Sequence, residues 1–337
     1  MSDSTSPPMD PGPIMRLATG YWESRCFLVA NQLGVFEVLG RGPRSAEDLA
    51  AELGTKPRPT RLLLNACVGL ELLVEGDDGF ANTPRTQLFL VPGSPAFLGN
   101  AVRYGGDMWE GWSRLEEALV EGRPPVAPES YTGDDPEKTR HFVHGMRERA
   151  LAIAGALVGL VDLSDRKRLL DVGGGPGTYS AMFVARHPEL RSTVMDLPDV
   201  VAIAAELLKE GEGGDRVETL AGDYHTTPFP GGHDALLISG VFHRESEQTC
   251  RDLIRRAGEA LEPGGLLMIA DVFTDEGGAT PAFAALFGLN MMLSAPDGGV
   301  HSDADVVRWL EDAGFRDVAR TPFPPPMPHR VVTGRRS

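Results

Sequence analysis

The sequence predicts an α/β protein in two parts: a helical module over about residues 14–105 and, from residue 146 on, a mainly parallel sheet covered on both faces. Three observations predict it. Apolar strand patterns alternate with helical ones after Met146, and such alternation builds parallel sheets with helices on either side. Arg168-Leu-Leu-Asp-Val-Gly-Gly-Gly-Pro-Gly-Thr-Tyr179 reads as a short buried strand, a glycine-rich turn and a helix start. Residues 45–82 read as helix, helix, hairpin.

In chain order, residues 1–13 are rich in Ser, Pro and Asp and lack an apolar signal region, so a disordered tail is expected there. Ser45-Ala-Glu-Asp-Leu-Ala-Ala-Glu-Leu-Gly54 has an N-cap serine and a closing glycine. Beyond Pro57 and Pro59, residues 60–73 carry an apolar stripe (Leu63, Leu64, Cys67, Val68, Leu70), and Leu73–Asn82 forms a hairpin turning at Asp78-Gly79. This is a winged-helix arrangement. DNA binding is not expected of it, because residues 1–105 hold nine Lys/Arg against eleven Asp/Glu and DNA affinity rests on phosphate neutralisation; packing or dimerisation is the expected role. Residues 106–145, with Trp109, Trp112, Pro124, Pro125, Pro128 and Tyr131, are expected to link the halves and shape a substrate pocket. Strands are expected at 169–172, 193–196, 217–220, 235–239 and 266–271, with helices at 198–208 and 247–261, the latter stopped by Pro263-Gly264-Gly265.

A net charge of −16 argues against nucleic acid and anionic membrane as partners. The longest apolar run, residues 151–161, is too short to span a bilayer. Cys26, Cys67 and Cys250 are widely spaced and odd in number, which predicts no disulfide framework and a cytoplasmic location. His225, His233 and His301 form no recognisable metal set, and no metal is expected.

The glycine turn separates two ligands. A dinucleotide fingerprint starting at Gly173 needs a third glycine at position 178, which is Thr178; here the glycines fall at Gly173, Gly175 and Gly177, two residues after Asp171. A carboxylate beside the turn suits a cationic ligand better than a pyrophosphate. That favours S-adenosylmethionine, with its sulfonium and ammonium, over NAD. In such sheets ligands lie beyond the carboxyl ends of the strands. Asp196, ending the second strand, is expected to hold a ribose diol, and Asp223, after the third, to lie near adenine, with Leu197 and Tyr224 as apolar faces. Ser239, ending the fourth strand, is placed with the cofactor residues. His243, just past that strand, is the candidate general base, since histidine titrates near neutral pH. Asp271, ending the fifth, either orients His243 or caps the backbone after it.

Together these motifs resemble the S-adenosylmethionine-dependent small-molecule O-methyltransferases of the caffeate and acetylserotonin type, with their bacterial polyketide-tailoring and bacteriochlorophyll-pathway relatives. The segments that carry the resemblance, over residues 14–333, are the winged-helix start, Leu170–Thr178, Met195-Asp-Leu-Pro198, Gly222-Asp223, the His243 loop, Pro263–Gly265 and Trp309–Phe315. The resemblance implies a class I, Rossmann-like methyltransferase domain and a homodimer through the N-terminal domain. It places Phe142 and Met146 beside cofactor and acceptor, and Asn290 and Met291 in the acceptor pocket, where Trp109 and Phe283 should also shape specificity. The chain departs from the family in three places. Arg244-Glu245 replaces the usual Asp-Trp after the histidine, Asp271 replaces a Glu, and Val300 stands where a second Glu is usual.

The sequence therefore reads as a methyltransferase acting on a hydroxyl of an aromatic or polyketide-like metabolite, with His243 as base. A relative that holds S-adenosylmethionine as a structural or electrostatic ligand, a C- or N-methyltransferase, and a winged-helix regulator with a metabolite-sensing domain remain as other readings.

Overall fold

The computed structural model describes residues 9–126 and 136–337. Pro128 and Tyr131 lie outside the described residues, as does most of the expected tail. The chain divides into two compact units, residues 1–107 and 108–337.

The first unit is helical with one hairpin. Helices α1 (Gly12–Gln32), α2 (Val35–Leu39), α3 (Ala46–Glu52) and α4 (Pro57–Gly69) precede strands β1 (Leu73–Gly76) and β2 (Gly79–Asn82), and α5 (Pro84–Leu90) and α6 (Gly99–Asp107) come after them. Ser45 caps α3 as expected, accepting the Asp48 N–H at 3.1 Å. The hairpin turns one residue earlier than expected, on Asp77-Asp78, with Gly79 paired to Gly76. Gly79 has φ of 102°, and a Cβ there would meet the Arg44 carbonyl oxygen at 2.3 Å, so the residue that opens β2 must be glycine. Phe36, Leu49, Leu64, Leu73 and Phe80 fill the core. The fold also brings Cys26 and Cys67 to 3.9 Å, a proximity that their spacing in sequence did not signal. Arg61, on the second of the two expected helices, is paired with Glu75 at 2.7 Å.

The second unit is built on a seven-stranded sheet in the order β5-β4-β3-β6-β7-β9-β8. Ahead of it come α7 (Trp109–Ser113), α8 (Leu115–Glu121) and the long α9 (Pro136–Leu160). The sheet strands are β3 (Arg168–Val172), β4 (Arg191–Asp196), β5 (Val217–Ala221), β6 (His233–Ser239), β7 (Leu261–Val272), β8 (Arg316–Pro322) and β9 (His329–Arg335). The helices between them are α10 (Thr178–Arg186), α11 (Pro198–Glu210), α12 (Glu247–Ala260), α13 (Ala282–Met292) and α14 (Asp303–Asp312). The five expected strands are parallel, and β9 and β8 close the sheet in antiparallel fashion, two strands that the sequence pattern did not reveal. Strand β7 is longer than expected. It starts at Leu261 and passes through Pro263-Gly-Gly, because Gly264 and Gly265 exchange backbone bonds with Arg336.

Residues of the central strands are buried on both sides, with neighbours in sequence facing opposite layers. Leu170, Val172, Leu236, Ile238, Leu267 and Ile269 pack with Leu253 and Ile254 of α12 and Val306 and Trp309 of α14. Leu169, Leu237, Met268 and Ala270 pack with Leu157 of α9 and Phe183 of α10. The strand order reverses between β3 and β6, so their carboxyl ends open the crevice where ligands of doubly wound sheets bind. Both the glycine turn and the His243 loop leave from there.

Candidate active site

Strand β3 carries Asp171 and the turn 173–177 to this crevice. Gly173, Gly175 and Gly177 adopt φ of 67°, 53° and 73°, a region that favours glycine. At Gly173 a Cβ would lie 2.7 Å from Val241 Cγ2, whereas nothing lies within 4 Å of the Gly175 position. The turn thus keeps a bare backbone face. The Gly175 N–H donates to Asp196 Oδ2 at 2.8 Å, and the Leu197 N–H to Asp196 Oδ1 at 2.7 Å. Burial pushes the Asp196 carboxyl up, while the Gly175 and Leu197 amides oppose that shift. Leu197 beside it is 40% exposed.

Asp171 sits beneath the turn, fully buried. The Ser180 hydroxyl donates to its Oδ2 at 2.7 Å, and Oδ1 has no hydrogen-bond partner among the described residues. Burial raises its pKa to about 7; the Ser180 bond opposes the rise and Asp196 adds to it. Tyr179, at the start of α10, was not singled out in the sequence. Its phenol bonds the Ser239 side chain and is pushed up to about 12, chiefly by burial.

On the other side of the crevice, His243 lies in a short 3₁₀ turn after β6 and Asp271 near the end of β7. His243 Nδ1 is 2.7 Å from Asp271 Oδ1, the backbone N–H of His243 reaches Asp271 Oδ2 at 3.3 Å, and the Val272 N–H donates to Asp271 Oδ1 at 2.7 Å. Asp271 thus contacts the ring and also accepts the next backbone amide. In the tautomer that donates Nδ1–H to Asp271, a neutral His243 presents Nε2 as an acceptor. The His243 ring meets Phe287 edge-on at 4.9 Å, and Phe287 stacks on Phe283 at 6.0 Å. Phe283 is 55% exposed. The Gly299 N–H donates to the His243 carbonyl at 3.0 Å, which brings the Val300 segment against this loop with an aliphatic side chain.

The remaining expected residues are more dispersed. Asn290 Oδ1 accepts the Trp112 indole N–H at 2.7 Å, a link from α7 to α13 that the sequence did not indicate. Met291 is buried, and Trp109 and Met146 are half-buried. Phe142 packs with Val143 against Val200, Ile203 and Leu207 of α11, the helix that starts beyond Leu197. Asp223 Oδ1 accepts the His225 N–H at 2.8 Å, and the Tyr224 hydroxyl donates to Glu245 at 2.6 Å. His225, His233 and His301 go separate ways, the latter two resting on the carbonyls of Pro230 and Glu245.

A model of the O-methyltransferase domain matches residues 112–316, and one of the O-methyltransferase dimerisation domain matches residues 15–92. The chain belongs to the O-methyltransferase family. It is similar to the 3-hydroxy-5-methyl-1-naphthoate 3-O-methyltransferase of Streptomyces sahachiroi, 34% identical over 99% of this chain and 98% of that protein. It is also similar to the tetracenomycin polyketide synthesis 8-O-methyl transferase of Streptomyces glaucescens, 33% identical over 92% of this chain and 93% of that one. The crystal structure of human N-acetylserotonin methyltransferase in complex with S-adenosylmethionine shares the fold, with a TM-score of 0.88 over the full length of both chains at 24% identity.

As an O-methyltransferase the chain uses S-adenosylmethionine, and its residues fit that cofactor. The open backbone face at Gly175, an ordered carboxylate at Asp196 and a buried, unsatisfied Asp171 oxygen suit a ligand with a diol and positive charge. Among the described residues no helix is long and apolar enough to cross a membrane.

Proposed function

We propose that this methyltransferase methylates a phenolic hydroxyl of a naphthalene- or polyketide-type aromatic, with His243 as general base. The observation that carries the reading is the 2.7 Å contact between His243 Nδ1 and Asp271 Oδ1. It leaves Nε2 to take the hydroxyl proton while Asp271 stabilises the imidazolium that forms. The stacked Phe283–Phe287 pair beside the ring suits a flat acceptor, as do the naphthoate and tetracenomycin activities of the relatives.

On the cofactor side, Asp196 accepts the ribose hydroxyls. Gly173, Gly175 and Gly177 let the ligand lie on backbone, Leu197 and Tyr224 flank adenine, and Asp223, Ser239 and Met146 complete the wall. Asp171, with Ser180, holds the turn from below and supplies negative charge beneath it once its proton, held to about pH 7, is lost. When bound, S-adenosylmethionine supplies an electrophilic methyl group. The protein's own part is to align the acceptor oxygen with it, to exclude water and to receive the proton. Trp112, by holding Asn290, fixes the face of α13 nearest the acceptor, together with Met291, Phe142 and Trp109.

The dimerisation-domain match and the exposed Ile14, Leu17, Tyr21 and Trp22 of α1 support a homodimer formed through the first unit. The test is formation of S-adenosylhomocysteine by the purified protein across hydroxynaphthoates and polycyclic phenols, with product masses read alongside. Product heavier by one methyl, matched to S-adenosylhomocysteine, is expected. Binding of the cofactor with no turnover on any phenol would overturn the reading.

A further inference from the structure

Glu245 stands two residues after His243, at a position where the sequence departs from its family. It is only 6% exposed. A buried carboxylate is costly unless hydrogen-bonded, and this one has two partners from the loop after β5. The Tyr224 hydroxyl donates to Oε1 at 2.6 Å, and His225 Nε2 lies 3.0 Å from Oε2. The other nitrogen of His225 is 3.1 Å from Asp223 Oδ1, which also accepts the His225 backbone N–H. One imidazole therefore lies between two carboxylates, and both of its nitrogens are donors only when it is charged.

The same Glu245 is tied to the acceptor side through its backbone. Its carbonyl oxygen is 2.9 Å from His301 Nε2, and the His301 carbonyl accepts the Thr274 N–H at 3.1 Å. The segment before His301 donates, through Gly299, to the carbonyl of His243.

We propose that Glu245 is a positioning residue that acts through Tyr224 and His225 to hold the adenine side of the cofactor site and to tie it to the His243 loop. This rests on the reading that Asp223 and Tyr224 line the cofactor site. The charged groups around His225 come from each element packed on it. Asp223 lies on its own loop and Glu245 on the loop after β6; Arg256 of α12 binds the carbonyls of Tyr224, His225 and Thr227. Arg244 and Asp196 face Tyr224. Burial works against a charged His225 ring, but Glu245 and Asp223 outweigh it and hold its pKa above the ordinary value. The doubly bonded clamp is therefore complete while the ring is charged and both carboxylates are ionised. As pH rises through the ring's raised pKa it loses a proton, and one of its two carboxylate bonds goes with it.

The test is titration of the full-length protein with S-adenosylhomocysteine, which lacks the sulfonium charge, from pH 6 to 8.5. The wild type is expected to bind and to weaken as pH rises. Glu245→Gln keeps the shape and the Tyr224 contact but removes the charge. It is expected to bind about five-fold more weakly at pH 6.5, as charge-assisted bonds become neutral ones, with the pH-dependent part flattened. Tyr224→Phe should weaken binding and keep the pH-dependent part, because His225 still lies between its two carboxylates. In turnover, the Glu245→Gln change should fall on KM for the cofactor more than on kcat. A Glu245→Gln protein that melts like wild type and shows wild-type affinity with an unchanged pH profile would overturn the proposal. If Glu245→Gln fails to fold, a Tyr224→Phe protein of wild-type affinity overturns it instead. A folded wild type that does not bind S-adenosylhomocysteine would instead remove the cofactor reading, and this proposal with it.

Discussion

On the β3–β4 side of the crevice, backbone amides and carboxylates hold one another: Gly175 N–H on Asp196, Leu197 N–H on Asp196, and Ser180 on the buried Asp171. On the β6–β7 side His243 pairs with Asp271 and is set against the ring of Phe287, which stacks on Phe283. The first side is short-range in sequence, running from Asp171 to Leu197, and most of its polar groups are satisfied before any ligand arrives. The second gathers residues from β6, β7, α13 and α7, and in the proposed tautomer presents one imidazole nitrogen as an acceptor. The difference fits the tasks we propose for them. A binding surface gains from being preorganised, whereas a base needs an empty acceptor aimed at the reacting group.

The largest effect is expected at His243. His243→Ala should lower kcat by about 10² to 10⁴-fold and leave the S-adenosylhomocysteine titration close to wild type. Next is Asp271→Asn. The amide can no longer fix the Nδ1–H tautomer or stabilise an imidazolium, so kcat should fall about 10² to 10⁴-fold; full activity would show that Asp271 only caps Val272. On the other side, Asp196→Ala should weaken cofactor binding about 10-fold or more, the loss of charge-assisted bonds to a diol, measurable by calorimetry on a protein that keeps its oligomeric state.

The smallest effect concerns Asp171 and sharpens the contrast by stability instead of activity. Its folded-state pKa of about 7 stands above the ordinary carboxylate value. The folded protein therefore holds that proton more tightly than the unfolded chain. Its contribution is complete below the ordinary value and is lost as pH rises to about 7. Asp171→Asn should then melt close to wild type at pH 4 and several degrees higher at pH 8. An equal change at both pH values would mean that burial of the charge is not what the turn tolerates for the sake of its ligand.

How much could be read in advance divides along the same line. The glycine turn, Asp171 and Asp196 were legible because a strand, three left-handed glycines and an acid at the next strand end are local constraints that few residues satisfy. The five parallel strands were legible from their apolar runs. Strands β8 and β9 were not, since half-exposed antiparallel strands such as Arg316–Pro322 alternate weakly and carry charge. On the acceptor side, His243 and Asp271 stood out as residue types at strand ends, but Phe287 and the Trp112–Asn290 bond join segments far apart in sequence and left no local signal. Glu245 was visible only as a departure from the family, and its partners Tyr224 and His225 needed the fold to appear. The proximity of Cys26 and Cys67 likewise comes from the packing of α1 and α4, which spacing alone does not encode.

We propose that the Nε2 of His243, with Nδ1 held by Asp271, takes the proton while the cofactor side binds independently of it. The most direct measurement runs wild type and His243→Ala side by side on one phenolic acceptor at saturating S-adenosylmethionine, with S-adenosylhomocysteine affinity measured on the same preparations. Loss of turnover in the variant with unchanged affinity is the predicted result. Turnover at the wild-type rate in the variant would contradict it.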